Sequence, residues 1–203
     1  MNTENTTDLL GALPLVDEEA NARLHDRLVD AAERDGLLDV AYRTFDSPVG
    51  SLLLAATGEG LVRVAYAREG HDGVLATLAT TVSPRILRAP GRLDDASRQL
   101  EEYFAGRRTA FELPLDRRLS SGFRREVQAR LPSIGYGHTA TYAEIAAAVG
   151  NPKAVRAVGT ACATNPLPVV VPCHRVVRSD GSLGRYAGGD EAKHALLTLE
   201  AAA

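Results

Sequence analysis

The stretch TYAEIAAAVGNPKAVRAVGTACA (residues 141–163) runs directly into TNPLPVVVPCHRVV (residues 164–177). The first part carries two helical patterns only a turn apart. Thr141 and Glu144 have capping-box spacing, in which a hydroxyl and a carboxylate reciprocally satisfy free backbone amides at a helix start. Gly150 ends that helix, and Asn151 is placed to cap a second one with Pro152 at its first position, where a missing N–H costs nothing. The pattern predicts a helix-turn-helix. Its second helix is almost all Ala, Val, Gly and Thr, interrupted by Lys153 and Arg156. Small side chains let a helix backbone approach another surface closely. That surface is either a DNA groove, with Arg156 projecting into the duplex, or a neighbouring helix, with Arg156 at a solvated edge.

In the second part, Pro166, Pro168 and Pro172 predict an extended, rigid path with Val169, Val170 and Val171 buried, delivering Cys173 and His174 at its end. A free thiol ionises near pH 8.5, so it needs help to become a nucleophile at neutral pH. An adjacent imidazole can take the proton, directly or through a water, and a carboxylate behind it fixes the tautomer. Glu200, on a helix expected from near Asp190, is the candidate carboxylate. Neighbouring side chains on an extended chain point apart, so Cys173 and His174 cooperate only if the chain turns there. From the residues alone Cys173 is either a nucleophile or an ordinary buried cysteine, whereas Cys162, inside the small-residue helix, reads as core. GSLGRYAGG (residues 181–189) lacks the Lys-Ser/Thr ending of a phosphate-binding loop. It reads as a pocket wall with Tyr186 as a stacking face for a base, or as an ordinary turn before the last helix.

Working outward, SSGFRREVQARLPSI predicts a helix between Ser120 or Ser121 and Pro132, with Phe123, Val127 and Leu131 on one face. TAFELPLDRRLS before it is the natural crossover. VAYRTF, SLLLAAT and LVRVAYA, separated by DSPVG and GEG from Val40 onward, predict an antiparallel meander of three strands. HDGVLATLATTV is ambiguous, with a helix over 74–81 the preferred reading. DDASRQLEEYFAGR is a firmer helix that stops at Gly106. Residues 17–35 form an amphipathic pattern whose stripe (Leu24, Leu28, Val29, Ala32) is expected to pack on the adjoining domain, and the first fourteen residues are expected to fray.

The fold class is therefore α+β. A small N-terminal α/β domain with a short antiparallel sheet (38–114) follows an extension with one helix (1–37) and precedes a mostly helical domain with the helix-turn-helix (115–203).

The formal net charge of −3 hides an uneven distribution: residues 1–116 sum to −8, whereas residues 117–185 sum to +7. That is either a basic working face or chance variation on a solvated surface. No run of eighteen apolar residues and no basic-then-apolar start appears, so neither a membrane span nor a secretory signal is expected, and the expected compartment is the cytoplasm. Two cysteines cannot make a four-cysteine metal site, and a disulfide between them is not expected in a reducing compartment.

Residues from about 118 to 200 resemble the catalytic domain of the methylated-DNA–protein-cysteine methyltransferases, also called 6-O-alkylguanine-DNA alkyltransferases. PCHRVV at 172–177 matches that family's active-site motif, with the helix-turn-helix, the Asn165-Pro166 pair and the Gly/Tyr loop in the expected order. The meander and the helix near 95–106 are similar, more loosely, to its smaller N-terminal domain.

The resemblance implies single-turnover repair of double-stranded DNA containing 6-O-alkylguanine, by a monomer without cofactor or small-molecule methyl donor. Some members of the family carry structural zinc in the N-terminal domain, but with no cysteine outside Cys162 and Cys173 no metal is expected here. Cys173 would accept the alkyl group, His174 would take the thiol proton through a water, and Glu200 would orient His174. Tyr142 would protonate the departing guanine and lie near a phosphate, and Asn165 would hold the turn that places the thiol. Arg156 would fill the space left by the flipped nucleotide, while Lys153, Ala154, Ala157 and Thr160 would meet DNA as the second helix enters the minor groove. Val176 with Leu183, Gly184, Arg185, Tyr186, Ala187 and Gly188 would form the base pocket. Ala187 is small and apolar where some relatives carry a hydroxyl, a difference that bears on alkyl preference. Two other readings fit parts of the chain. A DNA-binding regulator or non-catalytic damage sensor would share the helix-turn-helix, and a Cys-His hydrolase would leave Arg156 without a role.

Overall fold

The computed structural model describes residues 17–201, so the expected fraying of the first fourteen residues lies outside the described residues. A first unit ends at Leu38 and contains helix α1 (Glu18–Arg34). Asp17 caps α1 by accepting from the amide of Ala20 at 3.0 Å. Its stripe is less covered than expected: Ala32 is buried, but Leu24 and Leu28 are 61% and 52% exposed. Capping, an acidic first turn and the Glu19–Arg23 pair at 3.6 Å support this helix rather than burial of its leucines.

From Asp39 onward the chain is one compact unit. Strands β1 (Val40–Ser47), β2 (Gly50–Thr57) and β3 (Gly60–Tyr66) form the expected antiparallel meander. The sheet has a fourth strand that periodicity did not reveal, β4 (Ile86–Arg88), lying parallel to β1, so the order is β3-β2-β1-β4 and the sheet is mixed. Three residues are too few to show alternation, and only their pairing with β1 makes them a strand.

Both faces of the sheet are covered, which explains the unbroken apolar run SLLLAA. Leu53, Ala55, Val62 and Ala65 pack under α2 (His71–Thr81) through Val74 and Leu78. Leu52, Leu54, Val64 and Tyr66 face the larger core, which includes Leu93, Leu100 and Tyr103. Leu100 and Tyr103 belong to α3 (Asp94–Phe104), which ends before Gly106 at φ 69°. The larger core continues without a break into the second half through Val127, Leu131, Val158, Val171 and Leu196.

That half contains α4 (Gly122–Arg130), β5 (Ala140–Thr141), α5 (Tyr142–Ala148), α6 (Val155–Ala163), β6 (Val176–Val177) and α7 (Gly189–Ala201). The capping box is formed: Thr141 Oγ1 accepts from the Glu144 amide at 3.2 Å, and Glu144 Oε2 accepts from the Thr141 amide at 2.6 Å. The second helix starts later than the capping pattern predicts. Asn151 to Ala154 form a turn closed by the Ala154 amide on the Asn151 carbonyl at 2.9 Å, and Ala154, not Asn151, precedes the helix. Pro152 and Lys153 therefore sit in the turn. Among the described residues no helix is long and apolar enough to cross a membrane.

The crossover between the halves is stitched to the sheet by Leu61, whose amide donates to Pro114 at 2.8 Å and whose carbonyl accepts from Asp116 at 2.9 Å. Gly60 makes this possible. It lies at φ 136°, and a Cβ there would come within 2.2 Å of the Pro114 carbonyl oxygen. Gly60→Ala is expected to cost about 2–3 kcal/mol through strain and steric conflict, read as a lower urea midpoint at unchanged slope.

Candidate active site

The segment from Asn165 to Pro172 is a compact turn, not the extended path its prolines suggest. Proline fixes φ but leaves ψ open, and here the Asn165 side chain closes the curve. Its Oδ1 accepts from the Leu167 amide at 3.1 Å, and its Nδ2 donates to the Val171 carbonyl at 2.8 Å and to Cys173 Sγ at 3.1 Å. The Val171 amide returns to the Leu167 carbonyl at 2.8 Å. Val169 takes φ 71°, a costly conformation for a β-branched residue, held by burial of all three valines. From the sheet, the Val64 amide and Arg63 Nη1 both donate to the Pro166 carbonyl, at 2.9 and 3.2 Å.

The chain then turns as Cys173 to Arg175 form a single 3-10 turn. This supplies the bend that an extended backbone would have lacked. His174 is completely buried, and its Nε2 lies 2.8 Å from Glu200 Oε1. Because an ionised carboxylate only accepts, Nε2 carries the proton and Nδ1 keeps its lone pair. Nδ1 is buried without a protein hydrogen-bond partner.

Glu200 holds more than the histidine. Arg175 donates from Nε to Oε2 and from Nη2 to Oε1, both at 2.9 Å, and the Tyr103 hydroxyl donates to Oε1 at 2.7 Å. Gly137 adds its amide at 3.4 Å. Burial alone would raise this carboxyl, but the donors from His174, Arg175 and Tyr103 bring it down to about 2. Arg175 and Tyr103 are site residues that the motif reading missed. Arg175 was counted with the basic surface, yet it is buried against the carboxylate, and its neighbour in the motif gave the only signal. Tyr103 lies in another part of the sequence, where no local pattern links it to the motif.

Burial pushes the Cys173 thiol up to about 11, against the opposing influence of the Asn165 amide and the Lys193 ammonium. Burial lowers the His174 imidazole below its ordinary range, with Glu200 opposing. The pair is therefore a neutral thiol beside a neutral imidazole. Tyr142 opens α5, and burial, then the proximity of Cys162 and Cys173, raises its phenol to about 12. Its hydroxyl occupies the space of a missing side chain at Gly184, where a Cβ would lie 1.9 Å away. The Gly/Tyr loop is thereby brought against the helix-turn-helix. Cys162 is buried core, as its surroundings suggested.

Tyr186 does not offer an open stacking face. Its ring is buried, its hydroxyl is 2.9 Å from that of Tyr66, and it meets the His174 ring edge-on at 6.2 Å. Tyr66 comes from β3, which sequence reading had no means of bringing to this loop. Leu183 bridges to Val177, and Lys193 Nζ donates to the Val176 carbonyl at 2.6 Å and to the Gly184 carbonyl at 3.4 Å, tying β6 and the loop to α7. Val176 and Gly184 are buried, Ala187 and Gly188 half-buried, and Arg185 exposed. An open cavity of about 590 Å³ borders this wall, lined by Arg68, Ala163, Arg185, Tyr186, Gly188 and Asp190 among others.

The helix-turn-helix presents Lys153, Arg156, Ala157 and Thr160 as exposed residues with Ala154 half-buried, while Val158 and Ala161 are core. Among the described residues no group of three His, Cys, Asp or Glu side chains could hold a metal ion.

Fold and site together define a two-part class of methyltransferase. Residues 40–117 match the ribonuclease-like domain of 6-O-methylguanine DNA methyltransferase, and residues 122–202 match its DNA binding domain. A Mycobacterium tuberculosis relative named methylated-DNA–protein-cysteine methyltransferase is 41% identical over 161 residues, 79% of this chain and 92% of its own. A constitutive Bacillus subtilis relative of the same name is 41% identical over 160 residues, 78% and 94% of the two chains. The crystal structure of the M. tuberculosis relative in complex with DNA aligns with a TM-score of 0.70 at 40% identity, over 80% of this chain and 93% of that one. The chain belongs to the methylated-DNA–protein-cysteine methyltransferase family.

A carboxyl held near 2 when folded and near its ordinary 4.5 when unfolded stabilises the fold fully above pH 4.5, and this contribution is lost as pH falls through 2. Glu200→Gln, which also leaves Arg175 unmatched, is expected to cost about 3 kcal/mol at pH 7. The difference from the parent in urea unfolding should shrink steadily between pH 4.5 and 2.

Proposed function

We propose that this protein repairs DNA by direct reversal, moving the alkyl group from the 6-oxygen of guanine to its own Cys173, once per molecule. The observation that carries this reading is the buried His174, whose Nε2 is committed to Glu200 while Nδ1 has no protein partner, one residue from Cys173 in the same tight turn. Such an imidazole is a base waiting for a proton.

With its pKa near 11, the thiol is four units from ionising at pH 7, a cost of about 5 kcal/mol. Ionisation is therefore coupled to attack. Sulfur displaces the alkyl carbon from oxygen in line. The thiol proton passes through a water to His174 Nδ1, Glu200 steadies the imidazolium, and the Tyr142 hydroxyl donates a proton to the guanine ring as it departs. The phenolate then regains a proton through solvent as the imidazolium gives up its own. The new C–S bond is a thioether, which nothing in the site is built to cleave, so the protein is consumed.

A stacked guanine cannot present its 6-oxygen to an in-line thiol, so the base is flipped out of the duplex. Helix α6 enters the minor groove with Arg156 in the vacated stack, and Lys153, Ala154, Ala157 and Thr160 contact the strands. Val176, Ala187 and the backbone around Leu183, Gly184, Arg185 and Gly188 receive the base, with Tyr186 as a buried support behind the wall. The division of labour falls near residue 114. The protein acts as a monomer, in the cytoplasm, without a cofactor or small-molecule methyl donor.

Incubation with excess duplex carrying one labelled 6-O-methylguanine should give one methyl per molecule, mapped to Cys173 and absent from Cys173→Ser. Binding without transfer would instead indicate a damage sensor, and repeated turnover would overturn the mechanism. Arg156→Ala should slow transfer from duplex about ten- to hundredfold, reflecting a few kcal/mol of unstacking, and affect transfer from the free alkylated base far less.

A further inference from the structure

We propose that Tyr103, from the N-terminal part of the chain, is a positioning residue for the transfer: its hydroxyl holds the Glu200 oxygen that in turn holds His174. The inference rests on the reaction proposed above and assigns it a residue outside the matched motif.

The geometry is specific. The Tyr103 hydroxyl donates to Glu200 Oε1 at 2.7 Å, and the same oxygen receives His174 Nε2 at 2.8 Å and Arg175 Nη2 at 2.9 Å. Tyr103 is completely buried, and its ring is enclosed by Phe104, Phe111 and Tyr136 at centroid distances of 5.3, 5.2 and 6.0 Å. A ring so confined gives its hydroxyl little freedom to leave the carboxylate. Burial, with the Glu200 charge next, also raises the phenol, so the group remains a donor throughout the working pH range.

Packing alone does not require this hydroxyl, since phenylalanine would fill the same volume without burying a polar atom. What the hydroxyl adds is a fixed direction for Oε1 and a share of its negative charge. Both properties pass to the imidazole. The charged and titratable groups facing the pair are Arg175 and Cys173 from the 3-10 turn, Tyr186 from the Gly/Tyr loop, Lys193 from α7, Tyr136 from the loop before β5, and Tyr103 from α3. Of these, Tyr103 is the one that donates to the carboxylate from the first half of the chain. Removing its hydroxyl leaves more negative charge facing His174, so the imidazolium is favoured and the base is lost at higher pH.

The test is the pH dependence of single-turnover transfer from alkylated duplex to Cys173 in the full-length protein. Tyr103→Phe should move the acid limb of the rate profile to higher pH by a few tenths to one unit, and slow the plateau about threefold to tenfold as Oε1 loses its direction. Leu78→Ala opens the separate core under α2, away from Tyr103, Glu200 and His174, and should lower the melting temperature while leaving the limb in place. Fluorotyrosine at position 103 keeps the fold and strengthens the donor, and should move the limb to lower pH. This arm also decides the question if Tyr103→Phe does not fold. An acid limb in Tyr103→Phe that coincides with the parent's or moves to lower pH overturns the proposal, as does a fluorotyrosine limb that fails to move down. Failure of the parent itself to transfer the alkyl group would overturn the underlying reaction instead.

Discussion

Burying a carboxylate is costly unless donors surround it, and the second half of this protein is arranged around one such group. Glu200 draws the 3-10 turn inward through His174 and Arg175, the Gly137 loop through a backbone amide, and α3 through Tyr103. These donors come from three separate stretches of chain. Matching the charge therefore fixes the relative positions of the turn that carries the thiol, the final helix and the helix beneath the sheet. The imidazole tautomer follows from the same match, because the acceptor-only carboxylate leaves Nε2 no role but donor.

The N-terminal sheet contributes in a second way. The Val64 amide and the Arg63 guanidinium grip the Pro166 carbonyl, beside the asparagine that bonds the thiol. Tyr66, two residues on from Val64, braces Tyr186 behind His174. One edge strand thus supports both the turn before Cys173 and the loop after it. The left-handed Val169 shows that this turn is held against a local preference, which calls for a rigid frame on both sides.

A thiol raised by burial and an imidazole lowered by it make a resting site with little charge of its own. Such a thiol is a poor target for stray electrophiles, since the thiolate is the reactive form. In the proposed reaction, activation waits for a base seated in the pocket, where proton removal and attack occur together. Irreversibility makes that restraint useful, because a molecule alkylated by anything but DNA is lost.

What was legible in the sequence was local. The capping box works over three residues, the helix-turn-helix over about twenty, and PCHRVV places thiol and imidazole side by side, so each could be read from its own stretch. The three-stranded meander showed itself through turn residues and β-prone runs for the same reason. Tertiary structure decided what depends on residues far apart. Ile86–Arg88 is a strand only because β1 lies beside it, and the prolines before Cys173 bend because Asn165 and the sheet hold them. Arg175 is a buried partner rather than surface charge, and Tyr103 reaches Glu200 across 97 positions. Sequence spacing carries no record of such meetings, since hydrogen bonds and charge pairing act over a few ångströms of space whatever the length of chain between the groups.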